Sequence, residues 1–123
     1  MDPFDDPRFA QGVELFNSAH WYEAHDVFEA LWHDTAEPER RWLQGVVQIA
    51  VAMVHLGRGN TNGAAILLGE GIGRLSRSQA VPQRWRSETL ITPCRLQLLK
   101  LQGQSQESGM TTLVPTLVFD SPE

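Results

Sequence analysis

Along the first three quarters of the chain, apolar residues recur at helical spacing. Phe9, Gly12, Val13 and Phe16 fall at i, i+3, i+4 and i+7, one face of a helix opening at Asp5 or Asp6 with Pro7 in its first turn. Asn17-Ser18-Ala19-His20 reads as a turn, because Asn and Ser compete with the helical backbone. A second stripe, Trp21, Ala24, Phe28, Leu31 and Trp32, predicts a helix from Trp21 to Asp34, antiparallel to the first across this short connection. Thr35-Ala36-Glu37-Pro38 breaks the chain. From Glu39 to Leu56 nearly every face is apolar, as expected of a central, buried helix; a strand of that length would be unusual. Gly57 supplies a left-handed cap and Asn60 an N-cap for a fourth helix, Thr61 to Ser76, which buries Ala64, Leu68, Ile72 and Leu75. Its glycines 69, 71 and 73 imply either local softness or close packing.

Beyond Ser76 the pattern weakens. Residues 77–91 read as a loop with a helical turn around Trp85. Thr92-Pro93 reads as the start of a short fifth helix, with Cys94, Leu98, Leu99 and Leu101 inside and Gly103 at its end. Gln104–Gly109 is polar linker, and Pro115 demotes Thr111–Phe119 to an edge strand or extended tail. The expected fold is an all-α antiparallel bundle of four to five helices. It forms one helical domain over residues 1–103, followed by an extended or poorly ordered tail over 104–123.

Charge and composition narrow the function classes. The net charge of −5 divides into −8 over residues 1–40 and +3 over the remainder, so no nucleic-acid partner is expected, since such binding needs phosphate-neutralising Lys and Arg. The longest apolar run, Val46–Leu56, is interrupted by Gln48 and His55 and is too short to span a bilayer. The acidic beginning of the chain resembles no leader peptide, and the single Cys94 forms no internal disulfide; a cytoplasmic location is expected.

The candidate chemistry lies in His20–Trp32. In a helix, His25 falls within the apolar stripe and Glu29 one turn later at its edge, while Glu23 lies in the first turn, suited to a dipole or capping role. On the third helix Arg41, Gln44, Gln48 and His55 share a narrow polar face, and buried polar groups need partners. His25, Glu29 and His55 are a sufficient set for a divalent transition metal with an open position; Glu29 or Asp26 would then serve as general base and His25 as a further catalytic group. Arg41, Gln44, Gln48 and Asn60 are the candidate ligand-binding residues. The favoured alternative is a buried hydrogen-bond network in which His25 donates to Glu29, with Gln48 and Arg41 completing the pairing. No His-Glu-x-x-His motif, Cys pair or phosphate loop is present.

Phe16-Asn17, Tyr22-Glu23-Ala24-His25, Glu29, Leu31-Trp32, Gln44-Gly45, Gln48, Ala50, Ala52, His55, Gly59-Asn60 and Gly63-Ala64 together resemble the family called domain of unknown function 309. The resemblance runs from about Phe9 to Leu75, with Asp26 standing where the family pattern has Glu. It implies a small all-α fold whose first helix pair is similar to a tetratricopeptide hairpin, and no established activity, although some members are labelled metal-dependent hydrolases. Two functions follow as expectations. One is a non-catalytic module that binds itself or another protein; the other is a metal-dependent hydrolase or small-ligand binder using the same His/Glu/Gln cluster.

Overall fold

The computed structural model describes residues 2–103 and 114–121, so the polar linker 104–109 and the start of the predicted tail lie outside the described residues. A short 3-10 turn, Pro3–Asp5, precedes five helices: α1 Pro7–Asn17, α2 Trp21–His33, α3 Glu39–Gly57, α4 Thr61–Arg77 and α5 Glu88–Leu101. The fold is an all-α bundle.

Local signals set most boundaries. Asp6 caps α1 by accepting from the Arg8 amide at 2.9 Å, with Pro7 in the first turn where its missing N–H costs nothing. Asn60 caps α4, its Oδ1 accepting from the Gly63 amide at 3.0 Å. The turns that end α1 and α3 are Schellman motifs. After α1, the His20 amide donates to Leu15 and the Ala19 amide to Phe16; after α3, the Asn60 amide donates to His55 and the Gly59 amide to Leu56. The left-handed residue after α3 is thus Gly59 (φ 80°), not Gly57, which remains helical. The equivalent position after α1 is Ala19 (φ 63°), where an L side chain is strained.

α3 is the central helix, in contact with α2 on one side and α4 on the other. Its Trp42, Leu43, Val46, Ile49, Ala50 and Ala52 are buried, and Trp42 meets Phe4, Phe9 and Trp85 at ring-centroid distances of 5.5, 6.0 and 5.1 Å. Glycine lets two helix pairs close tightly. A Cβ on Gly12 of α1 would lie 2.7 Å from the Phe28 ring of α2. Where α3 and α4 cross, a Cβ on Gly71 would lie 2.7 Å from Ile49 Cδ1 and 3.1 Å from the Gly45 carbonyl oxygen. A Cβ on Gly69 meets nothing. Gly71→Ala is therefore expected to destabilise by about 1–2 kcal/mol after its helix-propensity gain, and Gly69→Ala to stabilise by about 1 kcal/mol. Urea midpoints moving in opposite directions would show this; a stabilised Gly71→Ala would contradict the close crossing.

The C-terminal third departs from expectation. α5 starts at Glu88, one turn before the predicted Thr92-Pro93, so Pro93 stands inside the helix. Proline brings no N–H to the Thr89 carbonyl. That oxygen instead accepts from the Thr116 amide at 3.1 Å, and the Thr89 hydroxyl donates to the Thr116 carbonyl at 3.1 Å. Leu90 and Cys94 form the buried face of α5, whereas Leu99 is exposed. Burial pushes the Cys94 thiol up to about 12, consistent with a packing role. Trp85 is not in a helical turn but in an isolated antiparallel bridge with Phe119.

Residues 114–120 run extended over the ends of α1 and α5. Leu117 and Pro115 are buried, and Phe119 stacks edge-on to Phe9 at 5.9 Å. Asn17 holds this segment from both sides of one residue, donating to the Leu117 carbonyl at 2.9 Å and accepting from its amide at 2.7 Å.

Candidate functional site

His25 and Glu29 lie at the rim of the core, not within it. The buried face of α2 runs through Ala24, Phe28 and Leu31, and each candidate follows one of these residues, a rotation of about 100° around the helix. The His25 side chain is 21% exposed and that of Glu29 46%. The two contacts of the imidazole are local: His25 Nδ1 lies 3.2 Å from Asp26 Oδ1, and Nε2 lies 3.6 Å from Glu29 Oε2. An imidazole between two carboxylates on its own helix is oriented by them, but the pairing does not bridge helices.

Gln48 makes the interhelical pairing, with partners different from those expected. Its Nε2 donates to Glu70 Oε1 at 2.9 Å and its Oε1 accepts from Arg74 Nε at 3.0 Å, both from α4. The predicted closure of the network through His25, Gln48 and Arg41 is therefore replaced by an α3–α4 clasp. Glu70 and Arg74 were legible in principle. α3 and α4 form an antiparallel hairpin about Gly59, and reflecting Gln48 through that turn lands on Glu70, with Arg74 one turn further along the same face.

The other candidates separate. His55 lies seven residues beyond Gln48, roughly 10 Å along α3, and its Nδ1 faces the Asn60 side-chain nitrogen at 3.2 Å. Asn60 thus serves two turn partners, His55 and the Gly63 amide. Arg41 lies at the opposite end of α3, beside Glu37, Pro38, Arg77 and Gln79. His25, Glu29 and His55 are not gathered around a common point: among the described residues no group of three or more His, Cys, Asp or Glu is placed to hold a metal ion. The spacing along α3 is the reason, because His55 stands two helical turns past the level of Glu29 and Gln48.

What the structure does bring together is Glu29 and Trp32 of α2 with Gln44, Val47 and Gln48 of α3, around an open depression of about 140 Å³. Its lining is mostly apolar, with Trp32 and Val47 among the residues that border it. Arg40 lies over the Trp32 ring at 4.0 Å, a cation–π contact that fixes the indole. A larger depression of about 500 Å³ lies away from these residues, between the N-terminal turn and the α2–α3 connection, lined by Asp2, Asp6, Asp34 and Glu39 among others. There Arg8 bridges Asp6 and Asp34 at 3.0 and 2.9 Å. The hydrogen bonds from Arg8 hold the Asp6 carboxyl below its usual range.

Comparison with known proteins agrees with the region in which these residues fall. The chain is 34% identical over 61 residues to the uncharacterized protein YpuF of Bacillus subtilis (strain 168), a match covering 49% of this chain and 35% of that protein. The chain thus spans about a third of that relative's length. The family model described as domain of unknown function matches residues 9–67, from the buried face of α1 into α4, and includes His25, Glu29, Gln44, Gln48, His55 and Asn60. Residues 9–67, just under half of the chain, thus match the domain of unknown function family DUF309.

Proposed function

We propose that this chain is a non-catalytic helical module that binds a polypeptide, either a second copy of itself or another protein, along the α2–α3 groove. The observation that carries this reading is the pairing of Gln48. Both polar atoms of its amide are engaged with Glu70 and Arg74, so the most central polar side chain of the cluster ties α3 to α4. The depression beside it is lined mostly by apolar surface, with Trp32 and Val47 among its residues, which suits a docked apolar side chain. The antiparallel α1–α2 pair, similar to a tetratricopeptide hairpin, supports the same reading. No helix among the described residues is long and apolar enough to cross a membrane.

Metal analysis of the full-length protein separates this function from a metal-dependent hydrolase. Thermal unfolding midpoints are expected to stay within about 1 °C on adding zinc, manganese or ferrous iron, because a ligand selective for the native state at 100 Kd would stabilise it by about 2.7 kcal/mol. Stoichiometric transition metal in purified protein, lost in a folded His25→Ala variant, would overturn the reading. Light scattering then assigns the partner: a dimeric mass reduced to monomer by Val47→Glu identifies a second copy.

A further inference from the structure

At the end of the α3–α4 seam opposite the Gly59 turn, two arginines converge. Arg41 of α3 and Arg77 of α4 line one open depression of about 320 Å³ with Glu37, Pro38 and Gln79. Among the described residues neither guanidinium takes part in an ion pair or side-chain hydrogen bond, in contrast to Arg8 and Arg86; Glu37 shares the depression and pairs with neither. The fold accounts for one of the two. Arg77 stands in the last turn of α4, where a cation suits the negative end of the helix dipole. Arg41 stands in the first turn of α3, where its charge opposes the positive end of the helix dipole, and it shares the depression with a second cation. The Arg77 guanidinium also folds back along α4: a Cβ on Gly73 would lie 3.0 Å from its Nη1, so the bare glycine provides the seat. Arg74, one turn earlier and held by Gln48 through Nε, adds a third positive charge to the seam.

We propose that Arg41 and Arg77 form a binding site for a small molecule bearing a phosphate group. Planar guanidiniums match phosphate oxygens through paired N–H donors, and a dianion relieves the repulsion between two converging cations. The depression is in the size range of small-ligand sites and is open on one side, as a ligand with a solvated remainder requires. Glu37 disfavours a bulky polyanion and limits the site to a single phosphate group.

Isothermal titration of the full-length protein at low ionic strength, with orthophosphate and with glycerol 3-phosphate, tests the site. Saturable one-site binding is expected, weakened at least tenfold in Arg41→Gln and in Arg77→Gln and unchanged in Arg58→Gln, an exposed arginine at the far end of α3. Circular dichroism confirms that each variant is folded. Tighter binding of the monoester identifies an esterified ligand, and tighter orthophosphate a free oxyanion. Absence of saturable heat with both anions, or equal weakening by Arg58→Gln, would overturn the proposal.

Discussion

Replacement of Trp42 by alanine is expected to remove about 3–5 kcal/mol of stability, the largest loss from any single substitution in this chain. Trp42 is fully buried and is the residue on which separate parts of the chain meet: Phe4 from the N-terminal turn, Phe9 from α1 and Trp85 from the α4–α5 connection. Truncation leaves a cavity that three rigid aromatic rings fill poorly, so the cavity contribution adds to the lost transfer free energy. Set against the roughly 5–15 kcal/mol that a typical domain possesses, such a loss leaves little native protein at moderate urea. Trp42→Phe separates packing from polarity. The buried indole N–H has no hydrogen-bond partner among the described residues, so phenylalanine forfeits volume and no hydrogen bond. Its cost is expected to be less than half that of alanine. Urea unfolding with an unchanged m-value checks both, and an alanine loss below about 1 kcal/mol would contradict the central place given to this ring.

Leu117→Ala comes second, at about 2–4 kcal/mol, although its position near the end of the sequence suggests tolerance. The side chain is buried, and both of its backbone polar groups are held by the Asn17 amide. Asn17→Ala alone is expected to cost about 1–2 kcal/mol by leaving those groups unpaired. The two substitutions disrupt one contact, so the double variant should lose less than their sum. Strict additivity in a double-mutant cycle, or a Leu117→Ala loss under about 0.5 kcal/mol, would show that the segment does not belong to the core.

The sequence makes α1 to α4 legible because their information is local. Apolar stripes repeat within one element, and Asp6-Pro7 and Asn60 act on amides two or three residues away. α5 is misread at its start because Pro93 carries two meanings: a first-turn residue, or an interior residue whose missing N–H is compensated elsewhere. Only the approach of Thr116, 27 residues from Thr89, decides between them. The same limit applies to the site. Helical phase brings His25 near Glu29 correctly, but the partners of Gln48 depend on the register of α3 against α4, which Gly45 and Gly71 set by allowing the backbones to meet. His55 shares a face with Gln48 in projection, yet a projection discards the distance along the axis.

The Asn17–Leu117 pairing joins positions 100 apart, whereas successive helices pack against their sequence neighbours. The entropy of closing a loop rises with its length, so the helical hairpins are complete before this contact is made. Interactions formed after the rate-limiting step slow unfolding and leave the folding rate nearly unchanged. The extended C-terminal segment is therefore a latch: it lengthens the lifetime of the native bundle without helping the chain to find it.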